Sequence, residues 1–331
     1  MGGDIARIAA MLKASDILSL DEMQALRRRS DLVGGLLVLH AWVLILGAMA
    51  LFAWWPNPLT FLVAVVVIGC RQLGLGILMH DAARGLLFSS SRLNELFGQW
   101  LCAWPVASNL NAYRPYHLKH HRFTQQANDP DLGLSTPFPI TRKSLYRKFL
   151  RDITGRTAWS RRRLQWRDAW GSGELALPDR LKRLAERLGG PLFVNAILGA
   201  GLGAAGSGGL YPVLCLLPLF TWYQLISRIR NIAEHAVVPD NDDPLRNTRT
   251  TLLDPLTRLF VAPYWVNYHL EHHLFLFVPC YRLPAAHRLM IAKGYGPRME
   301  LKRGYLQVLR EAASATVDSR RSGSGENMQF I

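Results

Sequence analysis

The stretch NYHLEHH, Asn267–His273, places His269, His272 and His273 at positions i, i+3 and i+4. On an α-helix that spacing turns all three imidazoles to one face within about a turn. A second stretch, HLKHH, repeats it with His117, His120 and His121. The chain has only ten histidines, and these six together with His80 and His235 make up eight of them. Neutral imidazole is the commonest protein ligand for iron, copper and zinc. The pattern therefore predicts a polyhistidine metal centre, against the plain alternative of unconnected surface histidines. Zinc is satisfied by three or four ligands, so eight imidazoles favour a two-metal centre, and oxygen-activating iron suits such ligands. Two nearby carboxylates, Glu234 and Glu271, are candidates to hold the outer ring nitrogens. His40, alone in an apolar run, reads as a packed or hydrogen-bonded residue.

Half of the 331 residues are hydrophobic and only 19% are charged. The apolar residues fall in long runs separated by basic segments, which is a membrane pattern. Residues 32–55 and 59–79 are near the ~20 residues that a bilayer crossing needs, and the short WPNPL connection makes them an antiparallel hairpin. Residues 191–206, rich in Gly and Ala, and 210–226 form a second hairpin around an SGG turn. Four crossings bring both termini and every histidine cluster to one face. Between Thr141 and Arg187 there are 14 Lys or Arg against five Asp or Glu, a net of 14 − 5 = +9, and the positive-inside rule makes that face cytoplasmic. The expected fold class is an all-α integral membrane protein with four transmembrane helices in two hairpins. Interfacial helices and a cytoplasmic helical cap, residues 80–190 and 227–313, hold the histidines. Residues 1–313 form a single domain and 314–331 a disordered tail.

Smaller expectations follow along the chain. Residues 1–31 read as a polar, partly amphipathic helix, with no apolar core of a cleavable signal peptide at the start. Residues 93–107 read as a re-entrant or interfacial helix, and LFLFVPCYRLP, after NYHLEHH, as a helix on the membrane surface. Arg71, inside the second span, either snorkels to the interface or braces the metal site. The four cysteines have no CxxC pair and read as buried free thiols. The charge excess, 39 − 24 = +15, fits anionic lipid or an acidic protein partner. Nucleic acid is the weakest reading and is not expected as a partner: no zinc-finger, RRM or helix-turn-helix signature is present, and the basic residues flank apolar segments.

The order of HDAARG (residues 80–85), HLKHH and HLEHH, with hairpins between and around them, resembles the membrane fatty acid desaturase and hydroxylase superfamily. Its members hold a non-haem di-iron centre in three histidine boxes. The resemblance covers the chain from about the first span through Pro284. It implies that His80, His117, His120, His121, His269, His272 and His273 are ligands of two iron ions. The NIAEH segment resembles the N-x-x-x-H segment of acyl-CoA desaturases, which adds His235 as a ligand and Asn231 as a water-mediated one. At Arg84 the sequence departs from the family, whose first box has a second histidine four or five residues after the first. A guanidinium stays protonated and has no lone pair to give. Three outcomes follow: two irons with an altered position, Asp81 as a substitute ligand, or one well-bound metal. Arg84 itself would pair with Glu234 or Asp129, or touch an anionic head group.

The resemblance implies an O2-dependent oxidoreductase that desaturates a fatty acyl lipid, with dioxygen as co-substrate and Arg84, Glu234 and Glu271 as further candidates at the catalytic site. Alternatives on the same scaffold are a hydroxylase, ketolase or decarboxylase of acyl chains, alkanes or carotenoids. The non-enzyme alternative is a membrane metal-binding or transport protein, which would place its ligands near mid-membrane. No HPGG haem motif is present, so electrons are expected from a separate ferredoxin- or cytochrome-type donor.

Overall fold

The first hairpin is written into its turn. Asn57 accepts hydrogen bonds from the N–H groups of Leu59 and Thr60, and Pro58 occupies the first helical position, where its missing N–H costs nothing. The computed structural model describes residues 12–171 and 173–316. In it Leu20–Arg27 is helix α1, Asp31–Trp54 is α2 and Pro58–Ala83 is α3. The two spans of this hairpin differ in setting. α2 exposes Leu36, Leu39, Val43 and Leu46 to its surroundings, whereas α3 is buried over almost all of Ile68–Ala83. α2 is peripheral and α3 is the axis of the fold. At the foot of α2 a Cβ on Gly34 would lie 2.4 Å from the Leu87 carbonyl oxygen. Only glycine allows the chain beyond α3 to pass that close.

The helix expected over residues 1–31 is broken within its described part. A turn at Ala14–Ile17 precedes α1, and Ser19 starts the helix anew by exchanging hydrogen bonds with Glu22, a capping box. Residues 1–11 lie outside the described residues. Over residues 93–107 the chain forms α4, Ser91–Leu96, then a π-helical stretch, Phe97–Ala103, and a 3-10 turn, Trp104–Val106. HLKHH lies on α5, Leu110–Phe123. The basic segment forms α6, Arg142–Ile153, and α7, Arg156–Trp170.

The second hairpin is less regular than expected. Its first arm is α8, Gly190–Ala204, which continues a polar helix, Leu177–Leu184, through a π-helical stretch, Ala185–Gly189. The 15 residues of α8 at 1.5 Å each cover only about 22 Å of a hydrocarbon core about 30 Å thick. Its second arm is a helical run, Tyr211–His235, interrupted at Thr221; the last segment, α9, is Trp222–His235. Three helices among the described residues, α2, α3 and Tyr211–His235, are long and apolar enough to cross a membrane.

Two further expectations are corrected. Arg71 neither snorkels nor reaches the histidines. It is buried, donates to the Leu259 carbonyl and lies 5.6 Å from the Tyr264 ring centroid, tying residues 255–265 to α3. Residues 275–279 are not a surface helix. The helix α10, His269–Leu274, stops after six residues. Pro279 disfavours helical backbone at Val278, while Phe275, Val278 and Cys280 turn into the core. Helix α11, Leu283–Ala292, follows, and α12, Tyr305–Ala312, ends the described helices. The fold is not wholly helical. Strand β1, Thr250–Leu252, pairs in parallel with β2, Leu301–Arg303. All four cysteines are free, with Cys215 only half-buried. Of the expected tail, Ser314 bridges to Thr141 and Ala315 donates to Ile140; residues 317–331 lie outside the described residues.

Candidate metal centre

Eight imidazoles from four helices meet at one place. His80 ends α3, His235 ends α9, and the two boxes lie on α5 and α10. They form two groups: His80, His117, His121 and His272, hereafter cluster A, and His120, His235, His269 and His273, cluster B. Within each group one ring nitrogen per residue lies within 4.8 Å of all the others. The clusters adjoin, with the His121 and His273 ring centroids 4.2 Å apart.

The boxes feed the clusters crosswise. HLKHH gives its i and i+4 histidines, His117 and His121, to A and its i+3 histidine, His120, to B. HLEHH gives His269 and His273 to B and His272 to A. Each cluster is completed by one histidine at the end of a long helix.

The donor set fits metal ions. His80 Nδ1 lies 3.2 Å from Asp81, His120 Nδ1 2.8 Å from Asp129 and His269 Nδ1 3.5 Å from Glu234. His273 Nδ1 lies 3.1 Å from the Thr124 hydroxyl oxygen. Asp81, Asp129 and Thr124 thereby hold the proton on Nδ1 and turn the Nε2 lone pair inward, while Glu234 faces His269 at ion-pair distance without a hydrogen bond. The inward nitrogens stand close: His117 to His121 at 2.8 Å, His121 to His272 at 2.9 Å, His235 to His269 at 2.8 Å and His269 to His273 at 3.0 Å. Facing lone pairs repel unless a cation lies among them. Burial, and then neighbouring positive charge, holds His117, His121, His269, His272 and His273 well below the ordinary imidazole value. Neutral rings are the ligand form.

The other predicted residues divide. Glu234 faces His269 and also lies 3.3 Å from Arg230. Asn231 lines the cavity beside the clusters, one turn before His235. Glu271 does not hold the outer nitrogen of a box histidine. It is fully buried between His287 Nδ1 and the Thr250 hydroxyl. One residue along a helix turns about 100°, so a neighbour of His272 in sequence points elsewhere in space. Asp81 points away from the nitrogen convergence, accepting from the Cys280 N–H at 2.6 Å as well as facing His80. Arg84 pairs with neither Glu234 nor Asp129. Its Nη1 lies 3.0 and 3.3 Å from the two ring nitrogens of His272, and its Nη2 donates to the Leu276 carbonyl. Burial lowers Arg84 to about 10, which leaves it charged at neutral pH.

Two supporting residues, Thr124 and Arg249, were not singled out from the sequence, and a third, Asp129, only as a partner for Arg84. Asp129 and Thr124 hold His120 and His273. Arg249, fully buried, donates to the carbonyls of Ala233, Ala236 and Val237 and to Glu300. A guanidinium satisfies the orphan acceptors at the C-terminus of α9 and so fixes His235. Asp129 stands in an acidic turn nine residues beyond His120, a faint signal; Arg249 left none.

A cavity of about 530 Å³ opens on both clusters. It meets His80, His117 and His272 of A and His120, His235 and His269 of B, and continues along Leu73, Gly76 and Ile77 of α3.

Fold and site together define a helical protein with spanning-length apolar helices and a paired polyhistidine centre able to hold metal. Residues 56–301 match the family model for fatty acid desaturases, and the chain belongs to that family. It is 27% identical over 246 residues to a dihydrorhizobitoxine desaturase of Bradyrhizobium elkanii, covering 72% of this chain and 68% of that one. It is 29% identical over 259 residues to a beta-carotene ketolase of Paracoccus sp. (strain PC1), covering 75% and 86%. The protein is thus an oxidoreductase of the desaturase/hydroxylase type, from a membrane-bound family.

Proposed function

We propose that the protein is an O2-dependent desaturase of an aliphatic acyl chain, with one iron ion in each histidine cluster. The observation that carries this reading is the cavity, which touches ligands of both clusters and then runs along apolar side chains of α3. An aliphatic chain gains by leaving water for such a wall. When bound, a pair of iron ions supplies the activation of dioxygen for C–H oxidation. The overall change is –CH2–CH2– + O2 + 2 e⁻ + 2 H⁺ → –CH=CH– + 2 H2O, so two electrons come from a separate donor.

The remaining work belongs to the protein's own groups. Asp81, Asp129, Glu234 and Thr124 orient the rings of His80, His120, His269 and His273. Tyr113, stacked on His117 at 5.1 Å between centroids, walls the cavity beside cluster A. Leu73 and Ile77 exclude water and align the acyl chain, so that binding energy is spent on orientation. Asn231 reaches cluster B through water. Arg147, Lys148 and Arg151 on α6 line a groove with Arg156, a surface suited to an acidic ferredoxin- or cytochrome-type donor. In the bilayer, α8 serves as a short fourth crossing, which puts both termini and the histidines on the cytoplasmic side, where the +9 segment belongs.

A second reading is oxygen insertion, hydroxylase or ketolase; the extensive match to a carotenoid ketolase favours it. Expression in a host, with mass spectrometry of its lipids against a His272→Ala variant, separates the two. Products lighter by two hydrogens are expected. Products that gain oxygen favour the second reading, and identical lipid profiles for the two proteins defeat both.

A further inference from the structure

We infer that Arg84 makes the two metal sites unequal, so that cluster B takes its ion tightly and cluster A weakly. The inference rests on the proposed two-metal reading and goes beyond it to the order in which the sites fill.

The two clusters are built alike and differ in charge. Each receives the i and i+4 histidines of one box, the i+3 histidine of the other and one histidine from a long helix. Four residues from that last histidine the chain has Asn231 beside His235 in B, and Arg84 beside His80 in A. The first is neutral and the second cationic. Two buried carboxylates, Asp129 and Glu234, face the rings of B, and the cation beside them, Arg230, pairs with Glu234 rather than with a ring. Among the described residues only Asp81 is a carboxylate facing a ring of A, and one of its oxygens is already engaged by the Cys280 N–H. Carboxylates behind imidazoles raise their basicity toward a metal, whereas a guanidinium close to a dication repels it.

Arg84 also competes for a ligand directly. It is a donor with no acceptor capacity, and its Nη1 straddles the ring nitrogens of His272. The nearer of the two is Nδ1, at 3.0 Å; a neutral ring that accepts there carries its proton on Nε2, the nitrogen turned toward His80 and His121, and that nitrogen is then withheld from a metal ion. His272 is the one histidine that HLEHH gives to A, so the loss falls on that site alone. The second Arg84 contact, to the Leu276 carbonyl just beyond α10, holds the guanidinium in place.

The test is metal binding rather than turnover. The full-length protein is purified in detergent, stripped with chelator and titrated anaerobically with ferrous iron. Metal per chain is read by elemental analysis and affinity by competition with a chromophoric chelator. The wild type is expected to bind one ion tightly and a second at least about tenfold more weakly, the lower end of effects from ligand surroundings. His235→Ala removes the tight event and His80→Ala the weak one. Arg84→Met, similar in length but without charge or donor, brings the two affinities within a few-fold of each other, and Arg84→His does the same by adding a ligand. These two substitutions differ in size and polarity, so the test survives the misfolding of either. Two ions of equal affinity in the wild type overturn the inference, as does a weak event unchanged in the Arg84 variants. Both results leave the two-metal reading intact, whereas a protein that binds no iron at either cluster defeats that reading itself.

Discussion

Helix α5, which bears HLKHH, exposes Leu118 and Lys119, while α10, which bears HLEHH, buries the corresponding Leu270 and Glu271 completely. α5 is a 14-residue helix started by Asn109, whose side chain caps the N–H groups of Asn111 and Ala112. α10 has six residues and no side-chain cap. A helix that short has almost no stability of its own. Its surroundings hold it: Asn267 exchanges hydrogen bonds with Thr251 of β1, and Glu271 joins Thr250 to His287 of α11. The same histidine spacing is thus presented once by a helix stable through its own length and cap, and once by a turn fastened from outside. The middle residue of the motif is solvated in the first and structural in the second.

The largest effect is expected from exchanging neighbouring ligands. His120→Ala and His121→Ala differ by one position on α5 but belong to different clusters. Each should lower turnover by about 100-fold or more, beyond what loss of a supporting partner costs. Their metal content should differ in which ion is lost: the tight one for His120→Ala, the weak one for His121→Ala. Loss of the same ion from both variants would break the crosswise assignment.

How far the sequence could be read follows from the same contrast. The eight histidines were legible because an i, i+3, i+4 pattern is local and helical geometry does the rest. Their division into clusters was not, because which histidine of one box faces which of the other depends on how α5 and α10 pack. Glu271 was assigned to the metal's surroundings by adjacency in sequence, whereas its partners lie 16 and 21 residues away in sequence, on α11 and β1. The first hairpin was legible from its length and its WPNPL turn; α3 ran four residues past its expected end, far enough to hold His80 on a continuous helix. The short parallel pair β1–β2 left no alternating pattern in three-residue strands, although β1 fastens α10.

Removing metal should expose a pH dependence shared by both boxes. His117, His121, His269, His272 and His273 are held neutral by burial, whereas an unfolded histidine titrates near 6.5. Below about that pH the unfolded chain binds more protons than the folded one, so stability falls as pH falls. Metal-free protein in detergent should melt at a clearly lower temperature at pH 5.5 than at pH 7.5. A flat melting profile across that range would show that the rings are not buried together.

The two middle residues of the motif give the next effect. Glu271→Ala leaves His287 Nδ1 and the Thr250 hydroxyl proton without their acceptor in a buried setting, a cost of about 1–3 kcal/mol. Lys119→Ala, on an exposed position, should stay within about 0.5 kcal/mol. Thermal unfolding of the two variants reads the difference, and Glu271→Gln, which keeps an acceptor oxygen for one of the two partners, should recover part of the loss. Equal melting of the Glu271→Ala and Lys119→Ala proteins would remove the distinction between a fastened and a self-supporting box.

The smallest effect concerns a contact that joins the boxes through an outer nitrogen. Thr124, at the end of α5, donates to the His120 carbonyl and accepts from His273 Nδ1 of α10. Thr124→Val keeps the volume but removes the acceptor, so nothing fixes the proton on the outer nitrogen of His273 or aims its Nε2 inward. Iron affinity at cluster B should fall by about tenfold, the low end for such partners, while cluster A, to which His273 contributes nothing, keeps its affinity. An equal fall at both sites would mean that the variant had loosened α5 as a whole. No fall at either would mean that packing against His121 suffices to orient His273, and that the link between the boxes is steric.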